Sequence, residues 1–272
     1  MNCYASLSRL KSRLDITATT YDTDLVMVLN AASRAVDNYT KRYFYIREGT
    51  HYFDGSSSPF FMPEDLLSID ASGFKLDEDG DVTYEATLAT GDYFLYPHND
   101  FPKTYVKVTT NSNYGGFASG IKKGISIAGK FGYGDGESAT PYTDSGATIT
   151  VTTNTNTTVN ASDGSLFGVG QTILAGSEQL YISAISSNTL TCKRGINGTT
   201  AAIQNAATAS IYNYPDSIVE ATLIQAMRWW KRRESAFADV IGSSETGGIV
   251  TAYKGIDPDI KEIIQGYIRR GC

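Results

Sequence analysis

Few residues in this chain are spaced for chemistry. Its two histidines, His51 and His98, lie outside any HExxH-type spacing, and two imidazoles are too few for a convincing metal site. The acidic run Asp77, Glu78, Asp79 and Asp81 invites a calcium reading. A helix–loop–helix calcium loop requires Gly at its sixth position and Glu at its twelfth, and counting from Asp77 these are Val82 and Leu88. The pattern fails, which leaves an acidic turn through Gly80. No GxSxG elbow and no GxxxxGK[ST] phosphate loop occurs; the glycine-rich run Gly132 to Gly136 lacks the lysine of a phosphate cradle and reads as a hinge. Asp and Glu pairs suited to glycosidase work exist, but nothing places two of them across a cleft. Cys3, Cys192 and Cys272 are odd in number, with two near the termini, so they imply no disulfide framework and fit a reducing compartment. The expectation is a protein with no catalytic residues, no cofactor and no metal.

Binding chemistry is better represented. Trp229 and Trp230 are followed directly by Lys231, Arg232 and Arg233. Adjacent residues on a helix point about 100° apart, so both indoles cannot enter one narrow core stripe, and one is expected to meet a neighbouring surface. Trp and Arg are the residues that most often dominate interface energy. A plainer reading competes: cations in a last helical turn meet the exposed carbonyls and the negative end of the dipole. A second apolar surface lies near the chain end, where Ile260, Ile263, Ile264, Tyr267 and Ile268 recur at helical spacing and Arg269 and Arg270 follow. These two stretches form the candidate site, an interface with a neighbour. The alternative is that both helices only complete the subunit's own core.

The elements that must carry these residues are legible in outline. Leu7, Leu10 and Leu14 oppose Arg9, Lys11 and Arg13, a short amphipathic helix. From Asp22, the residues Leu25, Val28, Leu29, Ala32, Val36 and Tyr39 mark a longer one. Tyr214 to Phe237 reads as the central helix, with Pro215 at its first position and Asp216 and Glu220 near its positive end. Asp257-Pro258 caps the terminal helix. After Tyr43 the period changes to two, giving a hairpin that turns at Asp54-Gly55, then strands around Leu66–Ile69, Asp92–Tyr96, Tyr105–Val108 and Ile125–Phe131. From Pro141 to Asn213 the only charged residues are Asp144, Asp163, Glu178, Lys193 and Arg194, helix signals vanish, and short strands recur between Asn, Gly and Ser turns. That segment reads as a small barrel or sandwich, although its Thr/Asn-rich start alone suits a linker.

The expected architecture is therefore α+β: a helical core of about four helices with a β-hairpin or sheet unit, built from residues 1–136 and 214–272, and an inserted small all-β domain at 137–213. The insert is expected at the periphery, and removable. A net charge of −6 argues against a general nucleic-acid binder, which draws its energy from clustered Lys and Arg. The start, MNCYASLSRLKSRL, lacks the continuous apolar run of a signal peptide or membrane span.

The order of segments carries one further signal. LSRLKSRL, AASRAVDNYTKRYF, a YFDG hairpin, TYEATLATGDYFLYP, GKFGYGD, PDSI…KRRESAF and GIDPDIKEIIQGYIRR follow one another in a way that resembles the head–tail connector (adaptor) family of tailed bacteriophages, over about residues 4–136 and 214–270. Residues 141–213 depart from that family's pattern and resemble small β modules of other phage structural proteins. The resemblance implies a virion protein of the head–tail junction, assembled in the host cytoplasm: a ring of identical subunits, by analogy a dodecamer, docked on the portal protein and leading to tail, neck or stopper proteins. DNA would pass through it without specific binding, and no membrane would be involved. It directs the chain's C-terminal end, with the Trp229 and Ile260 stretches, toward the portal. The competing reading is a β-rich module that binds carbohydrate or a host surface.

Overall fold

The structure, a computed structural model, describes residues 2–234, 240–242, 249–251 and 255–269. Among them are four α-helices, α1 (Leu7–Leu14), α2 (Asp22–Thr40), α3 (Asp216–Glu234) and α4 (Pro258–Ile264). Their ends follow the chemistry of the local sequence. Ser6 caps α1 by accepting the Arg9 N–H, and Asp15 ends it in the left-handed region at φ 55°. Asp257 caps α4 by accepting the Asp259 N–H at 2.9 Å, with Pro258 in the first turn.

The helices are the minority component, which corrects the expected fold class. Strands hold 36% of the chain and helices 23%, so the protein is mostly β rather than a helical core with a small β domain. The reason lies in packing: two of the three hydrophobic clusters are built by sheets alone, and the helices supply only part of the third.

The chain divides into two compact units. One comprises Met1–Lys41, Thr143–Ile196 and Ala201–Arg269, and the other Arg42–Tyr142 with Asn197–Thr200. In the first unit, β9 (Tyr142–Val151), β10 (Thr158–Ala161), β11 (Thr172–Ala175), β12 (Glu178–Ser186), β13 (Thr189–Lys193) and β14 (Gln204–Tyr212) close into a barrel in the order β10-β13-β12-β11-β14-β9. Closure removes every free edge, and alternate residues such as Ile149, Val159, Ile173, Leu180, Ile182 and Leu190 fill the interior. The same unit packs Leu10, Leu25, Leu29, Leu223 and Trp230 of the helices around Tyr181 of β12 and around Cys3 and Ala5. Residues 2–6 are buried throughout. They are tied to the barrel segment by Thr172 Oγ1 donating to Asn2 Oδ1 at 2.9 Å, and the Leu7 N–H donates to the Val169 carbonyl at 2.9 Å. The barrel thus shares a core with the helices.

The second unit holds β1 (Arg47–Phe53), β2 (Ser56–Ser57), β3 (Phe60–Leu76), β4 (Ala86–Thr87), β5 (Tyr93–Tyr96), β6 (Lys103–Val108), β7 (Gly116–Phe117) and β8 (Ile125–Phe131). Its main sheet runs β1-β8-β3-β6-β5, with β4 also on β3, while β2 pairs with β7. Strand β3 is one continuous element of 17 residues, where the sequence suggested separate short strands; irregularities between Phe61 and Leu66 and between Ile69 and Phe74 let it bend through the polar stretch. Phe60, Met62, Phe74, Val106, Ile125, Ile127 and Phe131 form the inner face. Gly198, at φ +91°, lies so close to the Glu48 carbonyl that a Cβ there would stand 1.8 Å from its oxygen. The strands β15 (Val240–Gly242) and β16 (Ile249–Thr251) pair antiparallel.

Candidate interaction surface

The candidate residues of the first unit are spread along α3 and α4, with Trp230 at the start of α2 and Arg269 at its end. Trp230 is buried, meets the Tyr21 ring edge-on at 5.6 Å, and is covered by the Arg233 guanidinium 4.0 Å above its ring. Arg233 also reaches Tyr21 at 4.9 Å and Asp24 at 3.5 Å, so one cation is braced by two rings and a carboxylate. Trp229 is half-buried and packs against the same core from its side. Lys231 is exposed and Arg232 half-buried. Upstream, Arg228 pairs with Asp257, whose N–H donates to Gln225 Oε1 at 3.2 Å, joining α3 to the α4 cap. In α4, Ile260 and Ile264 are fully buried while Ile263 is exposed. Tyr267 and Arg269 are half-buried, and the Arg269 N–H donates to the Thr40 carbonyl at 2.8 Å, which anchors the terminal segment on α2. Arg270 lies outside the described residues. Trp230, Ile260 and Ile264 thus complete the core, whereas Lys231, Arg233 and Ile263 are exposed and Trp229 is half-buried.

The remaining reactive groups are arranged for stability. Burial raises the Cys3 thiol above its ordinary value and pushes Cys192 up to about 12, so both are neutral thiols near pH 7. His51 stacks on Phe131 at 3.9 Å and bonds Glu64 through Nδ1, and Arg47 holds the other Glu64 oxygen. Asp77, Asp79, Asp81 and Glu85 bring carboxylate oxygens within 4.8 Å of one another. Fixed donors already engage Asp77, which accepts the N–H groups of Gly80 at 2.6 Å and Val82 at 2.8 Å; the other three carboxylates are exposed. Position counting could not find this quartet, because Glu85 joins it through the return of the hairpin.

Sequence reasoning also passed over the outer face of the second unit. Phe61, Tyr105, Tyr96, His98 and Phe94 form a row of rings across β3, β6 and the end of β5, with Tyr96 and Tyr105 stacked at 4.7 Å. Phe61 and Phe94 are about half exposed. The signal was present in YFLY, where aromatic residues fall on both faces of one strand. No protein-family model and no curated protein sequence matches the chain.

Proposed function

We propose that the chain is the subunit of a head–tail connector ring of a tailed bacteriophage. In this reading a dodecamer docks on the portal protein and continues the DNA channel toward tail, neck or stopper proteins. It is assembled in the host cytoplasm and stays in the virion at the head–tail junction. The observation that carries the reading is the end of α3, where Lys231 and Arg233 stand exposed beside Trp229 and Arg233 is braced by Asp24, together with the exposed Ile263 on α4. Aromatic and arginine anchors held in one conformation bind with little ordering cost. A ring also repeats one heterologous contact, which asks each subunit for two unlike surfaces, and the open-edged sheet of the second unit is the other.

The charge balance supports passage of DNA without grip. Residues 42–142 carry fourteen acidic and eight basic side chains, and phosphate binding needs the opposite excess. Among the described residues no helix is long and apolar enough to cross a membrane. The test is electron microscopy of the purified protein alone and mixed with portal protein. Rings seated on the portal are expected, and their loss in Lys231→Glu with Ile263→Asp. Dispersed monomers that ignore the portal would overturn the reading.

The row of rings on β3, β6 and β5 favours a second reading, a module that stacks on carbohydrate. Glycan-array binding lost in Phe61→Ala and Phe94→Ala, in a protein that forms no rings, would select it.

A further inference from the structure

We infer that copies of this chain join edge to edge through the main sheet of the second unit, with β5 of one copy lying parallel to β1 of the next and Phe94 set beside Tyr52. This rests on the ring reading above and names its subunit contact. The four successive pairings β1–β8, β8–β3, β3–β6 and β6–β5 are all antiparallel, so β1 and β5, at opposite ends of the sheet, run in the same direction. A second copy related by simple rotation therefore brings β5 against β1 in parallel, which is the head-to-tail relation that closes into a ring.

The backbone groups are poised for that contact. The Glu48 N–H donates to the Asn197 carbonyl and so points away from β8; Thr50 and Tyr52, two and four residues on, point the same way. At the other edge the Asp92 carbonyl accepts the Thr109 N–H on the β6 side, so Phe94 and Tyr96 also face β6, and Tyr93 and Leu95 turn their N–H and C=O groups outward. Among the described residues no strand pairs with either edge. In a parallel ladder a residue with outward groups bonds the two neighbours of the residue opposite it. Tyr52 then bonds Tyr93 and Leu95 of the adjoining copy and stands opposite Phe94.

Side chains agree with this register. His51 and Phe53 face the core, as do Tyr93 and Leu95, so Tyr52 and Phe94 share the outer face, where they are 49% and 51% exposed. An antiparallel contact would set outward Tyr52 against inward Tyr93 and split the faces. Charge agrees too. Lys123 stands over the Tyr52 ring at 4.3 Å, beside the end of β1, and the segment after β5 carries exposed Asp100. In the parallel register these two ends fall together, cation against carboxylate.

Disulfide trapping tests this. Opposed residues in a ladder bring their Cβ atoms within disulfide reach. In a Cys272→Ser background, Tyr52→Cys with Phe94→Cys is expected to give, after mild oxidation, a ladder of covalent multimers well beyond the dimer, with neither single variant doing so. A covalent dimer from Tyr52→Cys alone would instead mean that two β1 edges meet about a two-fold axis, and would overturn the contact. Rings seen by electron microscopy without a ladder would remove this contact and leave the ring reading intact; a monomer with or without portal protein would remove both. Independently of the cysteines, Lys123→Glu is expected to weaken self-association about tenfold and Asp100→Lys in the same chain to restore it. Unchanged association in Lys123→Glu, or failure of the rescue, counts against the register.

Discussion

Arg194 grips Glu178 inside the barrel unit with two parallel hydrogen bonds, Nε to Oε1 at 2.6 Å and Nη2 to Oε2 at 2.7 Å. Both side chains are buried, and every remaining lone pair is used: the Gly195 and Ala202 N–H groups donate to the carboxylate, and Arg194 donates onward to the Asn156 and Ala202 carbonyls. Breaking one half of such a pair strands the other charge. Arg194→Met is therefore expected to cost about 3–5 kcal/mol in urea unfolding, more than Arg194→Met combined with Glu178→Leu.

The same carboxylate gives a pH dependence. Burial raises its affinity for protons, but the Arg194 guanidinium and the two amides outweigh that and hold Glu178 below its ordinary value. A depressed folded value means that the stabilisation is complete above the unfolded glutamate value, about 4.3, and is lost as pH falls through the folded one. The stability gap between the native protein and Glu178→Gln should be constant near pH 7 and shrink below about pH 4. A gap that widens in acid would contradict this.

Tyr181 belongs to a barrel strand yet is buried among the helices, with its hydroxyl 3.4 Å from Cys3 Sγ. Tyr181→Ala should cost about 3–5 kcal/mol. Replacing residues 143–212 by a short Gly-Ser bridge should abolish cooperative unfolding of the helices in a thermal melt, since it strips Tyr181 and the Val169 partner of Leu7 from their core. A folded, cooperatively melting core after that deletion would instead favour the removable insert expected from the sequence.

Exposure separates the members of the candidate surface. Trp230→Ala should cost about 3–5 kcal/mol, whereas Lys231→Glu should stay within about 0.5 kcal/mol and show its effect on portal attachment. Removal of everything after Gly255 should destabilise the fold, because Ile260, Ile264 and the Asp257 partner of Arg228 leave with it. Calorimetry on the three variants checks the order.

Lys103 is a buried ammonium that donates to the Pro97, His98 and Asp100 carbonyls at 2.8, 3.0 and 2.8 Å. Lys103→Met leaves three carbonyls facing an apolar end, so it should lower stability by about 2 kcal/mol and open the 97–102 loop to proteases.

Local signals in the sequence determined the helix starts, because capping by Ser6 and Asp257, the proline at position 258 and the periodicity of Leu25 to Val36 act within a few residues; the terminal helix, expected to run to Arg270, ends instead at Ile264. They likewise placed strands over the Thr-rich middle, with β13 matching TLTCK from Thr189 to Lys193. What the sequence could not rank was how much each element contributes to the core. An amphipathic helix looks the same whether it packs on other helices or on a barrel, and only the tertiary structure put Tyr181 among α1, α2 and α3 and made the protein mostly β. It alone also decided which of two adjacent indoles is buried, since a helix turns about 100° per residue but its rotation is set by what lies opposite: Tyr21 and the helical core took Trp230 and left Trp229 at the margin.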